Sequence, residues 1–404
     1  MELTSTQGAL YLNGQRFYLK GTSWFGFEGG DNALHGLWSV TMHSLLDFLQ
    51  QNGFNALRIP VSAELSLELD RADTKTINFY VNPQLKGLSA GGLLDLLVAE
   101  CARRGILIML DMHHVSTSGG ICELWYDDKL DEAGVICAWQ ALALRYKDSW
   151  NVFAADLNNE PHGCASWGTG DPATDWRLGA QRVGDAIHEV NPRLLLFVEG
   201  TAGHCVPVQA PESAFWGEAL DSAAERPVSF RLLNKLVYSP HVYGPDVAGQ
   251  AYFKDPRFPA NMPAIWTRHW AHLKLVHKMN AAIVPGEWGG RAQEGSQDRV
   301  WQEAFANFLH DNGITDNFYW CLNPNSGDTG GLLKDDWVTP EQWKLDLLAY
   351  VNPRPTRLQV LPDGRVNAAS SEMPKASALD LQSLAQAMPA ADDASMGNVS
   401  YYHS

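Results

Sequence analysis

Short apolar runs alternate with amphipathic segments along most of this chain, and this alternation restricts the possible folds more than any other feature of the sequence. Most of the runs are continuously apolar rather than alternating with period two, which is typical of parallel strands buried on both faces. Eight such runs follow one another: Phe17–Gly21, Ala56–Pro60, Ile106–Leu110, Val152–Leu157, Leu194–Val198, Leu236–Tyr238, Ala282–Pro285 and Asn317–Cys321.

Helical patterns separate the strand-like runs and point to one closed barrel. Strands that alternate with helices in this way predict an α/β fold, a single (β/α)₈ TIM barrel. A doubly wound sheet is the alternative, but it would need a glycine-rich phosphate loop after the first strand, and residues 21–26 do not form one. The predicted helices are Val40–Gln51, Gly92–Arg104, Asp131–Tyr146, Trp176–Val190, Ile265–Met279, Val300–Leu309 and Pro340–Tyr350.

The two ends of the chain differ from this pattern. Ala9–Leu12 and Arg16–Leu19 flank Asn13-Gly14, a dipeptide that favours a tight hairpin turn, so we expect an N-terminal β-hairpin at the barrel floor. Beyond Pro353 the chain is rich in Ala, Ser and Pro. We therefore predict one barrel domain over residues 1–353 and a mostly disordered C-terminal tail over residues 354–404, with residues 365–404 as its least ordered part.

Composition and charge exclude several classes of partner. The formal net charge of −16 disfavours phosphate backbones and anionic lipid, so neither nucleic acid nor a membrane is an expected partner. No apolar run reaches the roughly 18 uncharged residues that a membrane span needs. The 15 tryptophans provide flat apolar surfaces suited to sugars, beyond those needed for core packing. The six cysteines form no CxxC pair, and we expect a monomer.

Polar residues follow most of the predicted strands directly, and in a barrel such positions converge at one mouth. Glu160 follows the fourth strand and Glu287 the seventh, so the two carboxyl groups are expected to face each other across the mouth. Such a pair can divide the acid and nucleophile roles that cleavage of a glycosidic bond requires. Arg58 and Tyr243 could keep a nucleophilic carboxylate ionised, and Asn159 could donate its amide to a sugar hydroxyl.

The same strand ends also carry enough nitrogen and oxygen ligands to suggest a metal site. Asp111, His113, His114, His162 and His241 would be its ligands. However, the His-x-His motif expected after the first strand is missing, and consecutive histidines on an extended segment point to opposite sides. We therefore expect no metal in the site.

Taken in order, these segments resemble glycoside hydrolase family 5, the cellulase family of clan A, and in particular its bacterial and archaeal endoglucanases. The likeness covers about residues 8–350 and includes His35–Trp38 and Leu333–Trp337. The motifs that carry it are Leu19–Glu28, Leu57–Pro60, Leu110–His113, Asn159-Glu160-Pro161, His241–Tyr243, Gly286-Glu287, Tyr319-Trp320 and Asn323–Gly331.

The resemblance implies a role for each matching residue. Glu160 would be the general acid/base and Glu287 the nucleophile, and Asn159 would hold the 2-hydroxyl of the sugar. It implies no metal or organic cofactor. Trp320 would be the platform under the sugar next to the scissile bond, and Trp24 and Trp216 would be platforms of further subsites. The residues that would position the carboxylates and that sugar are Arg58, His113, His241 and Tyr243.

The expected activity is that of a retaining endo-β-1,4-glucanase acting on a β-glucan polysaccharide or oligosaccharide. Another β-glycan (mannan, xyloglucan or β-1,3-glucan) is the alternative, and a carbohydrate-binding protein without catalysis is a further one. Trp288 replaces the phenylalanine common after the nucleophile, and Trp320-Cys321-Leu322 replaces a frequent Trp-x-Trp, so polymer preference stays open. The resemblance implies secretion, although Met1–Thr4 carry no signal-peptide features.

Overall fold

Eight parallel strands form the centre of the molecule in a computed structural model of the chain, which describes residues 1–203, 214–361 and 365–370. Each strand pairs with its neighbour in the chain, and the eighth pairs with the first. The seventh and eighth segments meet through the Phe318 and Trp320 amides, which donate to the carbonyls of Pro285 and Trp288 at 2.9 Å. The predicted (β/α)₈ barrel is confirmed, and the doubly wound sheet is wrong. The barrel strands are Lys20–Ser23, Ala56–Ser62, Leu107–His114, Val152–Asp156, Leu195–Val198, Leu236–Tyr238, Ala282–Ile283 and Asn317–Tyr319.

Two of these strands are interrupted just before the barrel mouth. Pro240 and Pro285 end the regular pairing of the sixth and seventh strands, because proline has no N–H to donate. The chain then resumes as His241–Tyr243 and Glu287–Gly289, which pair in parallel with His241 opposite Glu287. This short second ladder places His241, Tyr243 and Glu287 side by side at the mouth.

Helices pack their apolar faces against the outside of the barrel, and several begin at a side chain that caps the first turn. Thr41, Ser89, Asp131 and Ser296 each accept the amide of the residue three positions further on. Among the described residues no helix is both long and apolar enough to cross a bilayer. The helices are Met42–Gln51, Ala63–Glu68, Ala90–Arg103, Glu132–Arg145, Trp176–Val190, Met262–Trp266, Thr267–Ala271, His272–Leu275, Gln297–Asp311 and Gln342–Val351, with single turns at Pro83–Leu85 and Ala251–Lys254.

The barrel floor is closed by an N-terminal sheet, as predicted, although the sheet has one strand more than the expected hairpin. Leu3–Thr6 pairs antiparallel with Ala9–Leu12, which pairs with Gln15–Arg16. Asn13 and Gly14 both have positive φ, as the tight turn requires. The second arm of the predicted hairpin is therefore shorter than expected, and the first barrel strand begins at Lys20 rather than Phe17. The Leu10, Leu12 and Phe17 side chains are buried beneath the barrel interior.

The segment that follows the boundary predicted at residue 353 contains regular structure. Thr356–Val360 and Val366–Ser370 form an antiparallel hairpin. Leu358 is 7% exposed and packs into the same floor cluster as Phe17, and the Thr356 amide donates to the Tyr18 carbonyl at 2.9 Å. The burial of Leu358 and the hydrogen bond from Thr356 to Tyr18 hold this segment against the barrel floor. The rest of the predicted tail, residues 371–404, lies outside the described residues.

Candidate active site

The structure brings the predicted strand-end residues together at the carboxyl end of the barrel. They border a cleft of about 570 Å³. Its described walls include carboxyl, amide, imidazole and aromatic groups from different strands and loops, so it can contact a polar, flat ligand on several sides. Among the predicted residues that line it are His113, Asn159, Glu160, Trp216, Tyr243, Glu287 and Trp320.

Glu287 is held by two donors and is 3% exposed. Its Oε1 forms an ion pair with Nη1 of Arg58, and its Oε2 accepts the Tyr243 hydroxyl at 2.5 Å. The pKa of Glu287 lies above its ordinary value because burial outweighs the charge of Arg58 and the hydrogen bond from Tyr243, which both lower it. Both contacts stabilise the ionised carboxylate, which is the form a nucleophile requires.

Glu160 has a different environment. Its backbone has a φ of +53°, in the left-handed region, and its amide donates to Oε2 of Glu199 at 2.8 Å. Among the described residues, its side chain has one contact of hydrogen-bond length, in which Nδ1 of His241 lies 3.2 Å from Oε1. Burial, and then the negative charge of Glu287, raise the pKa of Glu160 well above its ordinary value. The protonated form is therefore favoured at Glu160, which suits a general acid.

The two carboxyl groups are close enough for a covalent mechanism. One oxygen of Glu160, one of Glu287 and one nitrogen of His241 all lie within 4.8 Å of one another. Retaining glycosidases have carboxyl groups about 5–5.5 Å apart, whereas inverting enzymes leave about 6.5–9.5 Å for a water molecule. The observed spacing fits the retaining geometry.

Arg58 occupies the centre of a cluster of buried acids. Its Nε donates to Asp156 at 2.9 Å, and its Nη2 lies 3.0 Å from Asp111 and 3.6 Å from Glu199. Burial raises the pKa of Asp111 and of Asp156 to about 7, against the opposing charge of Arg58. One guanidinium therefore faces more carboxyl groups than it can neutralise, including Glu287, and the cluster retains protons that free carboxyl groups would lose.

The neighbouring polar groups are fixed by the same cluster. Nη2 of Arg58 donates to Oδ1 of Asn159 at 2.9 Å, which leaves Nδ2 of Asn159 buried and without a partner in the described part of the chain. That N–H group is available to a hydroxyl in the cleft. Nδ1 of His113 lies 2.7 Å from Asp111, and burial lowers the pKa of His113 to about 3. His113 is therefore neutral at ordinary pH.

Two of the three predicted tryptophan platforms reach the cleft. Trp320 is stacked with Phe25 and with His113, at interplanar angles of 10° and 7°. Trp216 is 45% exposed and lies on His162 with ring centroids 3.7 Å apart. The prediction for Trp24 is wrong: its side chain is 0% exposed and its indole N–H donates to the His35 carbonyl at 2.9 Å. A fully buried ring cannot stack on a sugar.

Sequence reasoning missed two acids of this site. Glu199 follows the fifth strand directly, so the rule that found Glu160 and Glu287 could have found it as well. Asp156 ends the fourth strand inside an otherwise apolar run, and a buried charge at that position signals a buried cation such as Arg58.

The predicted metal ligands do not form one site. Nδ1 of His114 faces the Glu28 carbonyl at 3.3 Å, and Nδ1 of His162 faces the Glu160 carbonyl at 2.7 Å. Within the described residues, two other triads place three ligand atoms close together. Both contain carboxylates that already contact Arg58, so a metal ion there would lie beside a guanidinium. The triads are Asp156 with Glu199 and His241, and Glu160 with His241 and Glu287.

The chain is similar in sequence and in structure to known cellulases. A family model described as Cellulase (glycosyl hydrolase family 5) matches residues 12–326. An endoglucanase of Paenibacillus polymyxa is 44% identical over 351 residues, which span 86% of this chain and 86% of that protein. The major extracellular endoglucanase of Xanthomonas campestris pv. campestris is 42% identical over 340 residues, 83% of this chain and 68% of its own length. An endocellulase variant from Pyrococcus horikoshii, solved in complex with cellotetraose, superposes with a TM-score of 0.81 at 36% identity and covers 87% of this chain and 98% of its own.

Proposed function

The chain belongs to the cellulase family, glycosyl hydrolase family 5, and from this membership we infer that it is an endo-β-1,4-glucanase that acts with retention of configuration. The observation that carries the mechanism is the approach of the Glu160 and Glu287 carboxyl oxygens to within 4.8 Å at the barrel mouth. A β-glucan chain lying along the cleft would place its scissile bond between these two groups.

In the first step, the Glu287 carboxylate attacks the anomeric carbon and forms a covalent glycosyl ester. The C–O bond to the leaving sugar breaks, and Glu160 donates its proton to the departing oxygen. Arg58 and Tyr243 support this step because both donate to Glu287 and keep it ionised. The raised pKa of Glu160 keeps its proton in place until the transfer.

In the second step, water hydrolyses the ester. Glu160, now ionised, takes a proton from the water as its oxygen attacks the anomeric carbon, and the bond to Glu287 breaks. Two inversions at one carbon give net retention. His241 contacts Glu160 in both steps, and it stays neutral because burial lowers its pKa well below the ordinary value.

The surrounding groups would bind the sugars. The unpartnered amide N–H of Asn159 is placed to donate to the 2-hydroxyl of the sugar at the scissile bond. Trp320 supplies an apolar platform for the same sugar, and the exposed ring of Trp216 supplies one further along the cleft. Arg58, His113, His241 and Tyr243 orient the two catalytic groups.

A panel of soluble polysaccharides tests the substrate and the stereochemistry together. Carboxymethyl-cellulose, galactomannan, xyloglucan and a β-1,3-glucan are compared by the release of reducing ends, and proton NMR identifies the first anomer released from cellotetraose. We expect the highest rate on carboxymethyl-cellulose and the β-anomer first. A higher rate on another polymer would overturn the β-1,4-glucan assignment, and the α-anomer first would overturn retention.

Two substitutions test the roles of the carboxyl groups. Glu287→Gln and Glu160→Gln should each lower turnover of carboxymethyl-cellulose by roughly 10³-fold or more, with the unfolding transition retained. Asp316→Asn is the matched control, since Asp316 is also a buried acid paired with an arginine but lies at the barrel floor. Turnover close to that of the unchanged chain in either glutamine variant would refute the role of that residue. Binding of glucan without any hydrolysis by the unchanged chain would identify a carbohydrate-binding protein.

A further inference from the structure

We propose that Glu199 is a positioning residue that controls, through His241, which form of the Glu160 carboxyl group is favoured. Glu199 lies at the end of the fifth barrel strand and is fully buried, so it cannot touch a substrate in the cleft. It acts on the reaction only through its neighbours. The inference rests on the proposed role of Glu160 as the acid/base.

The first link is between Glu199 and the backbone of the acid/base. Oε2 of Glu199 accepts the amide of Glu160 at 2.8 Å. Because Glu160 has a φ of +53°, its backbone occupies a region that residues other than glycine rarely adopt. The hydrogen bond that the Glu160 amide donates to Glu199 stabilises this conformation. It therefore fixes the direction in which the Glu160 side chain leaves the strand end.

The second link runs from Glu199 through His241 to the Glu160 side chain. Oε1 of Glu199 lies 3.1 Å from Nε2 of His241, and Nδ1 of His241 lies 3.2 Å from Oε1 of Glu160. The Glu199–His241 contact has the distance but not the alignment of a hydrogen bond, and neither atom has a hydrogen-bond partner in the described part of the chain. Glu199 thus faces both the main chain and, across one imidazole, the carboxyl group of Glu160.

The neutral imidazole of His241 lies between two carboxyl groups. The Glu160–His241–Glu199 relay therefore has two forms that contain the same number of protons. In one form, Nε2–H of His241 faces ionised Glu199, and Nδ1 accepts a hydrogen bond from protonated Glu160. In the other, protonated Glu199 donates to Nε2, and Nδ1–H donates to ionised Glu160. The first form holds Glu160 as the acid of the glycosylation step, and the second holds it as the base of the deglycosylation step.

The backbone packs closely against the Glu199–His241 pair. Gly217 has a φ of +72°, and a Cβ atom there would lie 2.3 Å from Oε2 of Glu199. A Cβ atom at Gly286 would lie 3.0 Å from Nε2 of His241. The Gly217 segment therefore approaches Glu199 as closely as glycine permits, and the Gly286 segment lies beside His241, so the backbone limits the space available to both side chains.

Other charged groups influence the Glu160–His241–Glu199 relay, but none of them takes the place of Glu199. Arg58 carries the positive charge of the cluster, and it faces Glu199 and Glu287 directly. Arg58 and the neighbouring acids affect the proton balance as a whole, whereas Glu199 alone among the described residues contacts both the Glu160 amide and His241. The titratable groups that face Glu160, Glu199 or His241 are Arg58, Asp111, His113, Asp156, Tyr243, Glu287 and Asp328.

Glu199→Gln tests the proposal because the amide can satisfy only one of the two forms. Its carbonyl oxygen must accept the Glu160 amide, so its NH₂ group faces Nε2 of His241 and must donate. His241 then carries its proton on Nδ1 and donates to Glu160, which favours the ionised form and lowers the pKa of Glu160. The alkaline limb of the pH–rate profile reports the acid and should therefore move to lower pH, by about one unit.

A pair of substrates separates this effect from simple misplacement of side chains. Cleavage of the glucan chain needs protonation of the leaving oxygen, whereas 2,4-dinitrophenyl β-cellobioside has a leaving group that departs without it. For Glu199→Gln we expect kcat/KM on carboxymethyl-cellulose to fall by about tenfold on the alkaline side of the profile, as a shift of one pH unit implies. On the aryl cellobioside kcat/KM should stay within about threefold of the unchanged chain, because general acid catalysis contributes little there.

The controls distinguish failure of this inference from failure of the proposed function. Asp316→Asn removes a buried carboxyl group at the barrel floor. This variant should have unchanged kcat/KM on both substrates and an unchanged pH profile. Glu160→Gln should show the same contrast between substrates as Glu199→Gln, and more strongly; if it does not, the acid/base assignment itself is wrong. Suppose that Glu160→Gln shows the contrast between substrates. If Glu199→Gln then lowers kcat/KM equally on both substrates, or leaves the alkaline limb in place, Glu199 has only a structural role. Glu199→Asp, which keeps the acid, should recover part of the alkaline shift.

Discussion

At the scale of single residues, the chemistry of the site depends on Arg58 being an arginine. Its guanidinium offers donors in several directions at once, and they reach Asp156, Asn159 and Glu287. A lysine ammonium is a compact charge on a flexible stem and could not hold three partners in one plane. Because the side chain is fully buried, these contacts are not screened by water. The same residue thus orders both the nucleophile and the amide that is proposed to bind the sugar.

Tyr243 contributes to the nucleophile in a way that can be measured alone. Tyr243→Phe removes the 2.5 Å hydrogen bond to Oε2 of Glu287 and keeps the ring. Loss of a hydrogen bond to a charged group costs roughly 1.5–3 kcal/mol, so kcat/KM should fall by about 10- to 100-fold. That bond lowers the pKa of Glu287, so its loss raises this pKa. Since the ionised form is active, the acid limb of the pH–rate profile should move to higher pH.

Tyr238→Phe is the control for this measurement. Tyr238 is also a buried tyrosine of the sixth strand, but its hydroxyl accepts the amide of Val228, away from the cleft. We expect the acid limb of the pH–rate profile of Tyr238→Phe to stay in place. An unmoved acid limb in Tyr243→Phe would mean that the limb does not report Glu287.

At the scale of strands and helices, the sequence predicted the barrel because each strand is an apolar run long enough to be recognised. The same runs located the site, since a polar residue directly after a buried strand has to lie at the mouth. Glu160, Glu287 and Tyr243 follow from this rule, whereas Arg58 lies within the second strand. The rule also holds for the two strands that are interrupted at Pro240 and Pro285. Beyond each proline the strand resumes toward the barrel mouth, and its polar residues lie there.

Loops were harder to predict because their course depends on contacts between residues distant in the chain. Trp24 follows the first strand and was expected in the cleft, but the segment around His35 folds over it and accepts its indole N–H. No local pattern around Trp24 encodes that contact. The hairpin after Thr356 was missed for a related reason: its two short strands are stabilised by the barrel floor rather than by their own composition.

The loop that carries Gly217 gives a prediction at this scale. Gly217→Ala places a Cβ atom 2.3 Å from Oε2 of Glu199 and forces alanine to a φ of +72°. Gly14→Ala is the matched control, because Gly14 has a φ of +79° but nothing within 4 Å of the new Cβ. Both should lose about 1 kcal/mol of unfolding free energy to backbone strain. Only Gly217→Ala should also lower kcat on carboxymethyl-cellulose, by about tenfold or more, since it displaces Glu199. Equal activity in the two variants would show that the loop does not need this close approach.

At the scale of the whole molecule, the two ends of the barrel have separate tasks. The carboxyl end gathers buried acids around Arg58, an arrangement that costs desolvation free energy and is retained for chemistry. The floor is instead closed by apolar side chains of the N-terminal sheet and of the C-terminal hairpin. Stability gained at the floor can therefore offset the cost of the site without contacting it. We propose on this basis that the folded unit extends through residue 370 rather than ending at residue 353.

Two truncated chains test this boundary. A chain ending at Pro355 loses the Thr356 contacts, in which its amide donates to the Tyr18 carbonyl and its carbonyl accepts Nδ2 of Asn55 at 2.8 Å. It also exposes the surface covered by Leu358, whose carbonyl lies 2.0 Å from where a Cβ of Gly105 would be. A third hydrogen bond, in which Oγ1 of Thr356 accepts the Tyr18 amide at 2.9 Å, is lost as well. Three hydrogen bonds and one buried leucine correspond to about 4–6 kcal/mol, so the thermal midpoint of this chain should lie about 5 °C or more below that of a chain ending at Ser370.

Activity is the second measurement on these truncated chains. Because the hairpin lies at the floor, we expect kcat on carboxymethyl-cellulose at 25 °C to be the same for both. Leu358→Ala in the chain ending at Ser370 should lower the midpoint by an intermediate amount, since it removes the buried side chain but keeps the backbone contacts. Equal midpoints for the two truncated chains would return the boundary to residue 353. A lower kcat in the shorter chain at a temperature where it is fully folded would mean that the floor and the site are coupled.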